Sequence, residues 1–351
     1  MNFNKLKTQN SSFDTLKNQI NLWAKEIGFA NIGITDPNLS MHQNHLKDWL
    51  AHGFQAEMDF MLKHQAKRLN PQELMAQTKS IICVNLPYEE CNPTKNDWQR
   101  NNAISSYAAR RDYHKVMRKK LRQLAEKISE AVDDFSYRAF CDNAPVFEKA
   151  LAEKAGIGWL GKYTCLLTKE SGSQFFLGEL FTNLELPFDH ACENHCATCN
   201  KCIASCPTKA LKAPYTMDAK LCIAYLTLEH KTSIPIELRK LIGQRIVGCD
   251  TCQLACPWNK KMHDNLKPID SKKLIELFNW SKTEFLTKTQ GTSVRRIGYE
   301  RWLRNLAVAL GNSPYDPEII IALKNRLDHP SPMVQEHIQW ALGQQNSKKP
   351  Y

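Results

Sequence analysis

The sequence predicts three parts: an α/β (α+β) N-terminal domain, a small cysteine-rich insert and an α-helical C-terminal domain. Three observations predict it. Helix-like and strand-like periodicities alternate through the first half, nine of the thirteen cysteines fall between Cys192 and Cys256, and a helical segment near the C-terminus echoes itself. The boundaries expected from these changes in composition are 1–186, 187–265 and 266–351.

Taken in order, residues 14–28 place Leu16, Ile20, Trp23 and Ile27 three to four apart behind Asp14, which predicts an amphipathic helix capped by Asp14 and closed by Gly28. FANIGIT and SIICVNLPY are short β-rich runs bounded by turn formers. Residues 111–132 form a long basic helix with Val116, Leu121, Leu124 and Ile128 inward, and FEKALAEKAG is a shorter helix ending at Gly156. YTCLLT and FFLGELFTNL then read as adjacent strands. Composition turns cysteine-rich after Leu186-Pro187-Phe188-Asp189. Past Pro268, LRNLAVALGN (303–312) and QEHIQWALGQ (335–344) share Ala-Leu-Gly at an offset of 32, which fits two stacked, HEAT-like helical repeats.

No apolar run reaches the ~18 residues of a membrane span and the first ten residues carry no apolar signal segment, so a cytoplasmic protein is expected. Forty-seven Lys+Arg against 36 Asp+Glu leave a charge of +11, which suits a polyanionic partner. Aromatic content and unexceptional Gly and Pro exclude a disordered chain.

In a reducing compartment the cysteine cluster reads as metal ligation. Cys196-x2-Cys199-x2-Cys202-x3-Cys206-Pro207 has the spacing of the bacterial iron–sulfur run, in which the fourth thiolate reaches the neighbouring cluster. Cys249-x2-Cys252-x3-Cys256-Pro257 repeats its ending with one ligand fewer, and Cys222 is the only other cysteine between the runs. Crossed ligation then assigns Cys196, Cys199, Cys202 and Cys256 to one [4Fe–4S] cluster and Cys206, Cys222, Cys249 and Cys252 to the other. Zinc, the alternative for C-x2-C pairs, does not use a third cysteine followed by Cys-Pro. Cys83, Cys91, Cys141, Cys165 and Cys192 are left as small hydrophobes, and His190, His195 and His263 as polar neighbours of the runs. The glycines of GIGWLGK have dinucleotide-loop spacing, but they follow a helix and precede a strand, the reverse of what such a site requires.

CDNAPVFEKALAEKAGIGWLGK, YAARRDYHKV, the two cysteine runs and VRRIGYERWLRNLAVALGN together resemble the epoxyqueuosine reductase family over nearly the whole chain. The resemblance implies a catalytic domain, a ferredoxin-like two-cluster insert and a helical RNA-binding tail. It also implies a base-off cobalamin, two [4Fe–4S] clusters fed by an external electron donor, and a monomeric enzyme that reduces epoxyqueuosine to queuosine in the anticodon stem-loop of a transfer RNA. The reaction so implied would be a two-electron epoxide reduction with loss of water. Asp142 matches the family's proton donor, a role that requires it to hold a proton well above a carboxyl's ordinary pKa; read alone, it would cap the helix after Pro145. Arg68, Tyr107, Tyr113, His114, Asp250 and Thr251 match cofactor-pocket segments, although read alone they are surface, helix-face or loop residues. Arg295, Arg296, Arg301 and Arg304 supply the cations for RNA, with Arg301 and Arg304 sharing a helix face bordered by Trp302 and Asn305. Arg110 and Tyr163 depart from the family pattern.

Two other readings stand beside this one. A reductive dehalogenase shares the cofactors but is expected to carry an N-terminal twin-arginine signal, whereas the first Arg-Arg pair here is Arg110-Arg111. A non-catalytic electron carrier with an RNA-binding tail would contain iron and no cobalt, against an Fe:Co ratio of about 8:1 for two cubanes and one corrin.

Overall fold

The structure, a computed structural model, describes residues 10–91, 97–99, 101–260 and 268–350, so His263 lies outside the described residues. The chain separates into two compact units, Met1–Asn92 with Asp112–Asn200, and Pro93–Arg111 with Lys201–Tyr351. This differs from the expected boundaries. The 93–111 segment leaves the first unit, and the cysteine-rich and helical parts share one unit because they share one core.

In the first unit, α1 (Asn10–Ile27), β1 (Asn31–Thr35), α2 (Gln43–Ala51), α3 (Asp59–Lys63), α4 (Gln65–Leu69), β2 (Ser80–Pro87), α5 (Tyr113–Ala131), β3 (Tyr137–Phe140), α6 (Glu148–Lys154), β4 (Trp159–Leu160), β5 (Leu166–Leu167) and β6 (Phe175–Thr182) follow one another. The main sheet has the order β1-β2-β6-β3 and is antiparallel throughout, so the class is α+β. The expected pairing of YTCLLT with FFLGELFTNL does not occur. β5 folds back on β4 as a short hairpin, while β6 inserts between β2 and β3. Helix α1 begins at Asn10, which puts Asp14 inside it rather than at its cap.

The central strands are buried on both faces. Gly178 of β6 faces α5 so closely that a Cβ there would lie 2.8 Å from the Met117 sulfur. Its neighbour Glu179 must point to the other face. That face carries Ile81, Cys83, Phe140 and Phe181 and is covered by Ala150, Leu151 and Ala152 of α6. Helix α5 buries His114, Met117, Leu121, Leu124 and Ile128, close to the expected stripe, and Asp112 caps it by accepting from the His114 amide.

The second unit contains α7 (Lys201–Ser205), β7 (Leu211–Ala213), β8 (Thr216–Met217), α8 (Ile223–Leu228), α9 (Ile236–Ile242), α10 (Thr251–Leu254), α11 (Ser271–Phe278), α12 (Lys282–Lys288), α13 (Tyr299–Asn312), α14 (Pro317–Lys324) and α15 (Pro332–Ser347). One apolar cluster joins Trp98 and Ile104 to Ile246 and Val247 and to the tail helices, with Trp98, Trp280 and Trp302 packed ring against ring at 5.2–5.7 Å. The two echoed segments lie on α13 and α15, which pack together. Gly311 sits at their contact, where a Cβ would come within 2.6 Å of the Trp340 ring, whereas Gly343 of the second copy faces open space. Among the described residues no helix is long and apolar enough to cross a membrane.

Candidate active site and cluster domain

In the first unit the chain leaves β3 at Phe140 and places Asp142 at φ +53°, a left-handed conformation tolerated by Asp but strained for most residues. Asp142 does not cap the next helix, whose N-cap is Phe147 with no side-chain hydrogen bond. Instead its carboxylate, 59% exposed, is bracketed from α5. The Tyr113 hydroxyl donates to Oδ2, and the His114 Nε2 lies 3.6 Å from the same oxygen. The Tyr113 ring stacks on Phe176 at 4.1 Å and 4°, and the His114 Nδ1 is 2.8 Å from Asp112 Oδ1, so both groups are fixed from behind.

Electrostatics divide the acids at this site. Packing raises the pKa of Asp142, but His114 and Tyr113 outweigh it and hold the carboxyl below its ordinary range. Glu148, at the start of α6, is pushed up to about 8 by burial and by the charge of Asp142, and its Oε1 accepts from the Asp142 amide. The raised pKa expected of Asp142 is therefore not found: its surroundings lower it, and Glu148 is the acid of the pair that is raised. Glu179 is raised as well, first by burial and then by Glu148 and Asp142.

Arg68 joins this group. It donates to the Val146 carbonyl at 3.2 Å within the Asp142–Glu148 loop, lies over the Phe60 ring at 5.9 Å and interacts electrostatically with Glu148 and Asp142. The structure thus brings Arg68, Tyr113, His114 and Asp142 together, and adds Asp112, Glu148 and Glu179, which the sequence reading missed. Glu148 looks like an ordinary acid in a first helical turn, but Glu179 carries a signal, a single charge inside the apolar run FFLGELF. Tyr163 is buried with its hydroxyl 3.0 Å from Ser173 Oγ, so that departure from the family pattern is met by local packing.

Tyr107, Asp250 and Thr251 belong to the second unit. Asp250 is buried and committed. Ser105 Oγ donates to its Oδ1, the Ser106 amide and hydroxyl donate to Oδ2 at 2.7 and 2.9 Å, and burial raises its pKa. Thr251 Oγ1 accepts from Arg245 at 2.8 Å. Asp250 thus holds Ser105 and Ser106, and Thr251 holds Arg245.

Of the eight predicted cluster ligands, Cys196 and Cys199 end the first unit and the other six lie in the second. There α7, with Cys202, packs on α10, with Cys252. The Cys222 thiol, pushed up to about 11 by burial, also feels Cys249 and Cys206, three of the four residues assigned to one cluster. Cys206 Sγ accepts from the Ala210 amide at 3.3 Å. Cys83, Cys91 and Cys141 are buried among apolar residues, and burial pushes the Cys83 and Cys141 thiols up, as expected for inert hydrophobes.

The RNA-facing expectation needs correction at Arg304, which is fully buried. Its guanidinium donates to the carbonyls of Leu226, His230 and Thr232 at 2.6–2.7 Å and to Asn305 Oδ1, satisfying the open carbonyls at the end of α8. Trp302 and Asn305, expected to border an RNA face, are buried too. Arg304→Ala is expected to lower unfolding stability by roughly 2–5 kcal/mol, because it strands several buried carbonyls. Chemical denaturation checks this, and a loss below ~0.5 kcal/mol would contradict the assignment. Arg295 and Arg296 are exposed. Arg301 is half-buried, donates to the Leu228 carbonyl at 2.8 Å, and with Lys231, Lys282 and His329 lines a cleft of about 540 Å³.

Two cysteine runs with iron–sulfur spacing and an acid cluster on an α+β sheet point to an iron–sulfur oxidoreductase. Comparison with known proteins narrows this. The family model described as epoxyqueuosine reductase QueG, DUF1730 matches residues 68–143, and that described as a 4Fe-4S double cluster binding domain matches 195–259. The epoxyqueuosine reductase of Pseudomonas aeruginosa is 47% identical over 338 residues, covering 93% of this chain and 94% of the relative. Two solved epoxyqueuosine reductases align closely. One, crystallised with a tRNA-Tyr epoxyqueuosine-modified tRNA stem loop, is 30% identical with a TM-score of 0.82 over 95% of this chain and 90% of that one. The other, from Streptococcus thermophilus, is 28% identical with a TM-score of 0.83 over 96% and 92%. The chain belongs to the epoxyqueuosine reductase family.

Proposed function

We propose that this chain reduces epoxyqueuosine to queuosine at the wobble position of a transfer RNA in the cytoplasm, using electrons from an external donor relayed through two [4Fe–4S] clusters. The observation that carries it is the Asp142 carboxylate, open at its tip and fixed by buried Tyr113 and His114, in a chain 47% identical to an epoxyqueuosine reductase.

The residues present fit a bound cobalamin. The Asp142 tip stays exposed beside the buried Tyr113–His114 pair, and Arg68 Nε is buried with no hydrogen-bond partner among the described residues. Arg68, Tyr113 and His114 of the first unit would hold the group. When bound, base-off cobalamin supplies a low-valent cobalt able to engage the strained carbon–oxygen unit. The protein's own part is to hold Asp142 beside the reacting oxygen through Tyr113 and His114 and to deliver protons there. The cluster ligands are the two sets of four thiolates assigned from spacing, and the electrostatic proximity of Cys206, Cys222 and Cys249 supports the second set.

Arg295, Arg296 and Arg301, with the basic cleft beside them, are the surface proposed for RNA phosphates. The Arg295→Ala, Arg296→Ala double variant is expected to weaken transfer RNA binding and flatten its log–log salt dependence by up to ~2, about one for each phosphate no longer neutralised. Salt-dependent filter binding checks it; an unchanged slope at full affinity would move the RNA site elsewhere. The proposed reaction itself is tested by mass analysis of the nucleoside after an anaerobic turnover.

A further inference from the structure

Glu179 is anomalous on physical grounds. It lies in the middle of β6, opposite Cys83 on β2 and Phe140 on β3, on the face that packs Ala150, Leu151 and Ala152 of α6. It is fully buried, and neither carboxyl oxygen has a hydrogen-bond partner among the described residues. An ionised carboxylate cannot be kept so at reasonable cost. The same α6 begins with Glu148, whose carboxyl meets the Asp142 amide. Glu148 thus contacts the Asp142 loop, and Glu148 and Asp142 are the charged groups that act on buried Glu179.

We propose that Glu148 and Glu179 are the proton store of the reaction, held behind Asp142 and recharging it between two protonations. The proposal rests on the epoxide-reducing function argued above. Converting the C–O–C of an epoxide to C=C plus water consumes two electrons, supplied one at a time by the external donor through the clusters, and two protons. Glu148 gives its proton to the Asp142 carboxylate, and Asp142 gives it to the oxygen as the first C–O bond opens. A water drawn in between the two glutamates then passes the Glu179 proton to Glu148, which recharges Asp142, and the second proton leaves with the oxygen as water. Solvent restores both glutamates. Two stored protons match the stoichiometry. The titratable and charged groups around the pair are Asp142 and Cys141 after β3, Arg68 on α4, Cys83 on β2, His114 on α5 and Lys149 on α6.

The test uses the holoenzyme and the variants Glu148→Gln and Glu179→Gln, which keep shape and remove the proton. The first readout is melting temperature against pH. A carboxyl whose folded pKa is raised binds more protons folded than unfolded, so wild type loses stability as pH rises from the unfolded value toward the folded one. Each Gln variant should flatten that loss between pH 5 and 8 and be the more stable protein at pH 8. A variant that falls in parallel with wild type across that range overturns the proposal. The second readout is single-turnover reduction. Wild type should lose rate about tenfold per pH unit above about 8, where Glu148 ionises, and Glu148→Gln should lose that limb while running at least tenfold slower at pH 7. A wild-type rate and limb in Glu148→Gln overturns the store. A wild-type enzyme that reduces no epoxide while its melting profile behaves as stated would refute the function and leave the buried acids in place.

Discussion

Asp142→Asn is expected to retain iron and bound cobalamin yet reduce epoxyqueuosine roughly 10²- to 10⁴-fold more slowly than wild type, the range a positioned general acid contributes. The amide keeps the shape that Tyr113 and His114 bracket but has no acidic proton to give. Single-turnover reduction with chemically reduced protein isolates this step from electron delivery. The variant has a second signature: with the Asp142 charge gone, one of the two causes that raise Glu148 disappears, so the Glu148 pKa should fall from about 8. A near wild-type rate would reduce Asp142 to a strained loop residue with no part in proton transfer.

Loss of a cluster ligand is the second large effect. Cys199→Ser and Cys252→Ser are each expected to halve bound iron, because crossed ligation puts them in different four-thiolate sets, and each should stop multiple turnover by breaking the relay. Cys192→Ser should keep full iron, since Cys192 is an exposed thiol 3.1 Å from the Gly156 carbonyl and belongs to neither set. Iron analysis of the three anaerobically purified variants checks the assignment. Full iron in both ligand variants, or iron loss in Cys192→Ser, would contradict it.

Where one face of an element meets one core, its sequence period reports it. The stripe of α5 and the runs that became β1 and β2 were legible for that reason. Strand neighbours were not, because inserting β6 between β2 and β3 depends on partners about 40 to 100 residues away in sequence. The four residues of β3 are too few and too mixed to show a period. At the site, cysteine spacing pointed to the two-cluster domain that the family model matches at residues 195–259. Arg304 failed in the opposite way: a guanidinium three residues from Arg301 looks like a surface cation, and only the three carbonyls converging from 226, 230 and 232 make burial favourable. Likewise the lowered pKa of Asp142 follows from His114 and Tyr113, which the fold brings from α5 to the loop after β3, and the raised one of Glu148 from its burial and the Asp142 charge.

The measurement that bears most directly on the function is mass analysis of the modified nucleoside after anaerobic incubation of reduced, cobalamin-loaded protein with an epoxyqueuosine-bearing tRNA stem-loop. Loss of one oxygen to give queuosine, abolished by Asp142→Asn, is the expected result. Unchanged epoxyqueuosine from protein that contains iron and cobalt at about 8:1 would contradict the account.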